Sequence, residues 1–270
     1  MNMNECMSAA IRWAREAGEI QRERFRTALT IDCKSSGIDL VTEVDRQCEK
    51  RILDQIHQEF PDCGVLGEET GLYQGDAPWR WVVDPLDGTT NFSQGLPIFC
   101  VSIALQKNGQ SELGVVYAPM LDQLFTTIRD HGAFLNGQAL RVGDKMKLSD
   151  SVLGSGFPYD VAKNPDNNAA HFGHFVPKTR GLRRMGAAAY DLAMVASGGL
   201  DGYWEFNLSP WDAAAGTLLV TEAGGVIIPL PHKRGVSLVA ANRVLAPLIQ
   251  KELTYVDTYW EGGWVTAPLT

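Results

Sequence analysis

Apolar residues recur at helical spacing in two stretches near the start of the chain. The first stretch predicts an amphipathic helix over residues 4–27. The second predicts a helix that begins at Asp45 and ends before Pro61, because the residue that precedes a proline disfavours helical backbone. Between them, residues 30–34 and 40–44 look like two short strands around a Ser-Ser-Gly turn.

The pattern changes twice along the rest of the chain. Short apolar runs divided by Gly, Pro and Asn predict strands at 64–67, 79–84, 99–105, 113–117 and 123–128. After these, strands predicted at 152–155, 179–183, 202–206 and 236–241 alternate with helices predicted at 165–175, 187–197, 210–223 and 243–252. An α+β first half and an α/β second half therefore follow.

The length of 270 residues fits one large domain built of two packed halves. We expect the halves to comprise about residues 1–145 and 146–270. The segment 143–151 is the expected seam between them.

Composition narrows the class of protein. A chain with 45% hydrophobic and 21% charged residues is typical of globular proteins, not of disordered or fibrous ones. The apolar runs are too short to span a membrane, and no basic segment followed by an apolar stretch suggests a secretory signal. With 32 acidic and 24 basic residues, the net charge of −8 argues against a general binder of nucleic acids or membranes.

Cysteines and histidines give weaker indications. The five cysteines include no Cys-x-x-Cys pair, which favours reduced thiols in a cytoplasmic protein over disulfides or a zinc site. His171 and His174 lie three residues apart in a predicted helix and would be close enough to share a metal ion. Because no third ligand lies nearby in the sequence, a partly exposed helix face is the preferred interpretation.

The most informative stretch is Trp81–Phe92, which reads Trp-Val-Val-Asp-Pro-Leu-Asp-Gly-Thr-Thr-Asn-Phe. An apolar strand ends at Asp84, Asp87 follows, and Gly88 with two threonines can begin a helix. Carboxylates favour cations, whereas the N–H groups of a helix start favour an anion. A divalent metal ion that bridges the acids to a phosphate satisfies both. The alternative is a turn at Asp87, with Asp84 as a helix cap.

Further acids occupy comparable positions in other segments. Glu68 and Glu69 follow directly after an apolar strand. Asp212 lies in the first turn of a predicted helix of small residues, and Asp45 begins another helix. Taken singly, the glutamates also fit a solvated loop and the aspartates also fit helix caps.

Together these segments resemble the inositol monophosphatase family of Mg²⁺-dependent, lithium-sensitive phosphatases that act on small phosphorylated alcohols. The resemblance is carried by Gly-Glu-Glu at 67–69, the motif at 81–92 and Trp-Asp-Ala-Ala-Ala-Gly at 211–216, and it includes Gly-Ala-Phe-Leu-Asn-Gly at 132–137 and Asp-Gly-Tyr-Trp-Glu at 201–205. It extends from about residue 5 to about residue 250. It implies a layered αβαβα sandwich, two or three Mg²⁺ ions and a homodimer.

The resemblance also implies roles for individual residues. Glu68, Asp84 and the carbonyl of Leu86 would hold the first metal ion. Asp84, Asp87 and Asp212 would hold the second, and Asp45 would lie near a further, weaker site.

The catalytic group of the resemblance comprises Thr89, Asp45 and Glu68, with Thr89 supported by Asp45 as it orients the attacking water. Gly88 and Thr89 would offer backbone N–H groups to the phosphate, and Glu205 would contact the sugar-like hydroxyls. The implied substrate-binding set is Gly88, Thr89, Gly186, Ala187, Glu205, Asp212 and Lys34, of which Lys34 would line the mouth of the site.

Electrostatics supports a metal centre without reference to the family. Two carboxylates about 4 Å apart repel by roughly 4 kcal/mol at an effective dielectric constant near 20, so four in one cleft need cations or protons. Metal ions can neutralise a phosphate, lower the pKa of a bound water and stabilise a leaving alkoxide. No Ser, Cys or His nucleophile with a partner stands out in the motifs, so direct in-line attack by metal-bound water, without a phosphoenzyme, is predicted.

One position departs from the family pattern. Ser or Thr commonly follows the glycine that corresponds to Gly186, whereas this chain has Ala187. If that hydroxyl binds a substrate hydroxyl, inositol recognition is weaker here. If the backbone binds it, the side chain is dispensable. The neighbouring Arg183 and Arg184 fit packing, an interface or a second phosphate group.

The leading hypothesis is therefore a phosphoric monoester hydrolase that acts on inositol 1-phosphate, a small phosphorylated polyol. Activity toward fructose 1,6-bisphosphate, histidinol phosphate or a nucleotide 3′-phosphate is the alternative within the family, because substrate choice lies in loops. A non-enzymatic alternative is a regulatory protein that associates with RNA or the transcription machinery. The complete set of acids and the negative charge weigh against it.

Overall fold

The computed structural model describes residues 1–33, 40–73, 75, 78–164, 166–231 and 233–259. In these residues the helices are α1 (Met3–Arg24), α2 (Glu43–Glu59), α3 (Thr89–Ser93), α4 (Ala169–Phe175), α5 (Ala188–Ala196), α6 (Pro210–Glu222) and α7 (Leu245–Tyr259). No helix among them is long and apolar enough to cross a bilayer.

The strands fall into a hairpin and two larger sheets. In chain order they are β1 (Ile31–Cys33), β2 (Leu40–Thr42), β3 (Gly64–Gly67), β4 (Gly71–Tyr73), β5 (Trp79–Asp87), β6 (Cys100–Lys107), β7 (Gln110–Ala118), β8 (Gln123–Ile128), β9 (Ala133–Leu135), β10 (Gln138–Ala139), β11 (Val152–Ser155), β12 (Gly181–Arg183), β13 (Gly202–Leu208), β14 (Val226–Pro229) and β15 (Val236–Ala241). Strands β1 and β2 form the hairpin.

The two sheets differ in strand direction. The eight-stranded sheet has the order β10-β9-β8-β7-β6-β5-β3-β4 and is antiparallel except between β3 and β5. The five-stranded sheet has the order β12-β11-β13-β15-β14, in which β11 runs parallel to both neighbours and the other pairs are antiparallel. The parallel pairing of β3 with β5 matters for function because it brings the ends of two acid-bearing strands side by side.

Five layers bury three apolar cores. Helices α1 and α2 pack on one face of the eight-stranded sheet, where the rings of Trp13 and Trp81 meet edge to face at 4.9 Å. Helices α5 and α6 fill the space between the two sheets, and α4 and α7 cover the outer face of the second sheet around Trp204. The predicted αβαβα sandwich is confirmed.

Most predicted elements are present, with shifted ends. The opening helix ends at Arg24, the second begins at Glu43, and α7 extends to Tyr259. Helix α4 begins only at Ala169, because Asn168 has a positive φ of 68° that helical backbone does not allow. The prediction missed β4, β9, β10 and β14, which are two to four residues long and too short to show a period. The predicted turn at 35–37 lies outside the described residues.

Candidate metal centre and active site

A bulge in β5 turns two acids toward the same side of the sheet. Asp84 pairs with Ser102 and Asp87 pairs with Cys100, so three steps along β5 oppose two steps along β6. Side chains three apart on a regular strand point to opposite faces, and one extra residue corrects this. The extra residue falls at Pro85-Leu86. Both carboxylates consequently face the α5–α6 layer, while Leu86 packs into the core beneath α1 and α2.

Glu68 reaches the same place from β3. Its N–H donates to the carbonyl of Val83 at 3.2 Å, which continues the parallel pairing of β3 and β5 beyond Gly67. Glu68 is thereby set close enough to Asp84 for its charge to raise the pKa of Asp84. Two acids this close favour a shared proton or a cation.

Asp212 comes from the opposite side, in the first turn of α6. One of its oxygens accepts the N–H of Ser209 at 2.8 Å, which fixes the side chain at the helix start. The carbonyl of Trp211 accepts a hydrogen bond from Ser102 of β6 at 3.3 Å, so the start of α6 is held against the sheet.

The pKa values of Asp84, Asp87 and Asp212 are raised. Burial raises the pKa of Asp84 well above its usual range, and Glu68, Asp87 and Asp212 raise it further. Burial raises the pKa of Asp87 to about 6, although the N–H groups of Ala189 and Ala188 lower it. Burial and then Asp87 and Glu68 raise the pKa of Asp212. The cluster therefore favours bound protons or cations.

The donor set fits a hard divalent cation. Carboxylate and carbonyl oxygens are the ligands that Mg²⁺ accepts, and mutual repulsion makes a cation favourable here. Among the described residues, no three His, Cys, Asp or Glu side chains already form a metal-binding group. The fit therefore rests on donor type, burial and repulsion, and not on a preformed cage.

Thr89 and Asp45 are directly connected. The Thr89 hydroxyl lies 2.9 Å from Oδ1 of Asp45 and 3.1 Å from the carbonyl of Leu86. One hydroxyl proton serves one acceptor at a time, and the nearer carboxylate is the stronger. The other oxygen of Asp45 accepts the N–H and the hydroxyl of Thr42 in a capping box. Asp45 thus orients Thr89 while it also caps α2.

A cavity of about 100 Å³ adjoins the acids. Its lining includes Asp87, Gly156, Arg184, Gly186, Ala187, Ala188, Asp191, Glu205 and Asp212. Glu205 is half-buried on β13 and accepts a hydrogen bond from the hydroxyl of Tyr203. Burial raises the pKa of Glu205 to about 7, which Tyr203 and Arg184 partly oppose.

The other residues that the sequence predicted for the site lie at the starts of helices or outside the described residues. Gly186 and Ala187 form the approach to α5, where Ala187 is buried at the N-cap position. Gly88 precedes the five-residue helix α3 with a φ of 99°, a conformation that favours glycine. Lys34 lies outside the described residues. His171 and His174 each pair with an acid of α7, Asp257 at 2.9 Å and Glu252 at 2.6 Å. Their side chains are mostly buried, and the expectation of a partly exposed helix face is wrong.

Several polar residues at the site are absent from the sequence-based prediction. Gln21 of α1 donates to the carbonyl of Pro85 at 2.8 Å, and Cys100 lies 3.6 Å from Asp87. Asp191 is buried under the cavity, and Glu49 contacts the turn that carries Glu68. Gln21 and Glu49 carry a recognisable signal, since each is a polar residue on the apolar stripe of its helix. A lone cysteine carries none.

Known proteins resemble this chain over most of its length. The model of the Inositol monophosphatase family matches residues 2–258. The chain is 42% identical over 250 residues to the inositol-1-monophosphatase of Mesorhizobium japonicum, which covers 91% of each chain. It is 44% identical over 234 residues to a Pseudomonas aeruginosa protein named Nus factor SuhB, covering 83% of this chain and 85% of that protein. The solved inositol monophosphatase of Anabaena (Nostoc) sp. PCC 7120 has a TM-score of 0.83 at 36% identity, covering 94% of this chain and 97% of that one.

Proposed function

Because this chain belongs to the inositol monophosphatase family, we propose that it is a Mg²⁺-dependent phosphomonoesterase that hydrolyses inositol 1-phosphate to inositol and phosphate. The observation that carries the proposal is the meeting of acids from three elements, β3, β5 and α6, beside a cavity that contains Glu205. The acids fit metal ions, and the cavity offers an acceptor for hydroxyl groups.

Glu68, Asp84 and the Leu86 carbonyl are the proposed ligands of one Mg²⁺ ion, and Asp84, Asp87 and Asp212 of another. A third, weaker ion is proposed near Asp45. When bound, Mg²⁺ supplies positive charge to the phosphate, a lower pKa for water and stabilisation of the leaving alkoxide. The proposed role of Thr89 is to orient the attacking water. Because its hydroxyl donates to Asp45, its oxygen lone pairs are available to accept a hydrogen bond from that water.

Direct displacement, without a phosphoenzyme, is the proposed course. The thiol of Cys100 lies 3.6 Å from Asp87, but burial and then Asp87 and Asp84 raise its pKa well above its usual range, so it stays protonated. Thr89 donates a hydrogen bond to Asp45, whose carboxylate already accepts two hydrogen bonds from Thr42 and is therefore a weak base toward the Thr89 hydroxyl. Gly88 and Thr89 offer backbone N–H groups to the phosphate. Trapping a covalent phosphoryl intermediate would refute this course.

Substrate recognition is proposed to rest on the cavity beside Asp87. Glu205 can accept hydrogen bonds from two neighbouring hydroxyls of a polyol. Gly186 and Ala187 would bind through the backbone. Arg184 lines the same cavity and is the group that would favour a second phosphate, as in fructose 1,6-bisphosphate. Histidinol phosphate and nucleotide 3′-phosphates complete the family alternatives.

The test is phosphate release with Mg²⁺ across inositol 1-phosphate, fructose 1,6-bisphosphate, histidinol phosphate and adenosine 3′,5′-bisphosphate. Asp87→Asn serves as the blank. A preference for inositol 1-phosphate supports the full proposal. A preference for another substrate keeps the metal chemistry and rejects the inositol assignment. Release from none rejects the enzymatic function.

A second candidate is a regulatory protein that associates with RNA or the transcription machinery. The relative named Nus factor SuhB, 44% identical to this chain, favours it. The net charge of −8 opposes direct contact with RNA, so a protein partner is the better-supported form. Complementation of a deletion strain separates the two functions. Full rescue by Asp87→Asn supports the binding role, whereas failed rescue by this variant supports catalysis.

Three further properties are proposed, the first two from the family alone and the third from the cysteine usage. The protein is a homodimer, it is inhibited by lithium, and it works in the cytoplasm. Light scattering on the purified protein, lithium titration of phosphate release and cell fractionation test them in turn. The division into halves of about 1–145 and 146–270 is likewise proposed, and separate expression of the two pieces tests it.

A further inference from the structure

A buried acid on α2 holds the turn that carries Glu68. Glu49 is only 1% exposed and lies on the apolar stripe of the helix between Cys48 and Ile52. Its Oε1 accepts the N–H of Glu69 at 3.0 Å and that of Thr70 at 3.4 Å. Burying a carboxylate is costly, and these two donors offset part of that cost.

The turn is also shaped around this carboxylate. A Cβ at Gly67 would overlap Oε1 of Glu49, so glycine is the residue that lets the two approach. On the other side of the turn, the N–H of Glu68 donates a hydrogen bond to the carbonyl of Val83 in β5. The backbone on either side of the Glu68 side chain is therefore fixed, by β5 before it and by Glu49 after it.

Helix α2 connects two parts of the site. Asp45 holds Thr89, and Glu49, one helical turn later, holds the Glu68 turn. Residues four apart lie on one face of a helix, so one rigid element sets both groups relative to β5.

We infer that Glu49 is a positioning residue, which fixes the backbone of Glu68–Thr70 and so holds the Glu68 carboxylate in place for Mg²⁺. The inference rests on the proposed function, because Mg²⁺ at Glu68 is part of it. Partners of metal ligands typically change metal affinity by about 10- to 100-fold when they are removed. We expect an effect of that size for Glu49→Ala.

The test compares wild type with three variants by isothermal titration with Mg²⁺ and by hydrogen exchange of the Glu69 and Thr70 amides. Glu49→Ala should bind Mg²⁺ about 10-fold more weakly or worse, with both amides exchanging faster. Glu49→Gln keeps an acceptor oxygen and should stay close to wild type. Ile52→Val, on the same buried face, removes one methyl group and should leave affinity and exchange unchanged.

The outcomes distinguish a positioning role of Glu49 from general destabilisation and from failure of the proposed function. Wild-type affinity and exchange in a folded Glu49→Ala protein would overturn the inference. An equal loss in Ile52→Val would also overturn it, because the effect would then be general destabilisation. If Glu49→Ala does not fold, Gly67→Ala displaces the same carboxylate and must show the same loss. If wild type binds no Mg²⁺, the proposed function fails, while the exchange measurement still tests whether Glu49 fixes the turn.

Discussion

The Asp87 carboxylate accepts a hydrogen bond from the backbone N–H of Ala189 at 2.7 Å, although 102 residues separate the two in sequence. Its other oxygen accepts the N–H of Ala188 at 3.1 Å. An anion is stabilised at a helix N-terminus, and Asp87 fills this place for α5. One side chain therefore belongs to the proposed metal centre and also caps the helix that borders the substrate cavity.

Asp87→Asn is expected to lower Mg²⁺-dependent phosphate release by about 100-fold or more, the size seen when one charge-stabilising group is removed from an active site. The fold should survive, because the amide oxygen can still accept the Ala189 N–H. Steady-state kinetics and circular dichroism measure the two effects. Asp54→Asn, an exposed aspartate that pairs with Lys50, is the control and should match wild type. Near-normal activity in Asp87→Asn would remove Asp87 from the centre.

Stabilisation by Mg²⁺ is expected to grow as the pH rises from 5 to 8. Burial raises the pKa of Asp87 from 3.8 to about 6, so the folded, metal-free protein binds more protons than the unfolded chain in that range. The stability of the metal-free protein consequently falls as the pH rises from 5 to 8, by about 1.4 kcal/mol from this group. Burial also raises the pKa values of Asp84 and Asp212, so these groups lower the stability in the same direction.

Thermal unfolding with Mg²⁺ and with a chelator, at each pH, measures this difference. Subtracting the stability with chelator from the stability with Mg²⁺ at the same pH cancels the contribution of groups that titrate the same way in both conditions. Burial of His171, for example, lowers its pKa and makes the fold less stable at acid pH whether or not Mg²⁺ is present. A difference that stays constant from pH 5 to 8 would count against a cation at these acids.

Ala187→Ser is expected to change little. A serine at an N-cap usually stabilises a helix by about 1 kcal/mol, because it satisfies free N–H groups. Here Asp87 already accepts those of Ala188 and Ala189. We expect a change below about 0.5 kcal/mol in denaturant unfolding and a KM for inositol 1-phosphate within twofold of wild type. A markedly lower KM would show that the missing hydroxyl matters for recognition.

The sequence predicts the acids better than it predicts how they are brought together. Asp84, Asp87, Glu68 and Asp212 are visible because polar residues interrupt apolar runs at strand and helix ends. That Asp84 and Asp87 share a face depends on a one-residue bulge, which is settled by pairing with β6 and leaves no local period. The chain-wide order of strands and helices predicts the layers, because each element buries one face.

Long-range polar contacts escape prediction for a different reason. The bond from Ala189 to Asp87 uses a backbone donor, which every residue but proline has, so the sequence carries no mark of it. Glu49 and Gln21 can be recognised in the sequence as polar residues on buried stripes of their helices, but the sequence does not show which groups they bind. Those partners are backbone groups of distant turns.

Gly156→Ala is expected to disturb substrate binding and to spare the metal centre. A Cβ at Gly156 would overlap the carboxylate of Glu205, so the methyl group must displace it. We expect KM for inositol 1-phosphate to rise about 10-fold, and stability to fall by about 1–3 kcal/mol through overpacking. Mg²⁺ affinity should not change. Gly173→Ala, with open space around it in α4, is the control and should keep the KM of wild type.

Glu205→Gln is expected to raise KM for inositol 1-phosphate in a pH-dependent way. Burial raises the pKa of Glu205 to about 7, so it is mostly ionised at pH 8 and mostly protonated at pH 6. An ionised carboxylate is the stronger acceptor for substrate hydroxyls. The variant should therefore have a KM about 10-fold above wild type at pH 8, a cost of about 1.4 kcal/mol, with the ratio approaching one near pH 6.

The control for this prediction is a substrate without hydroxyl groups. Phenyl phosphate cannot donate to Glu205, so wild type and Glu205→Gln should have the same KM for it at every pH. Taking the ratio of variant to wild type removes the pH dependence that both share through the phosphate and the metal centre. A KM ratio for inositol 1-phosphate that is the same at pH 6 and pH 8 would show that the ionised carboxylate is not what binds the polyol, and Arg184 would then be the cavity group to test.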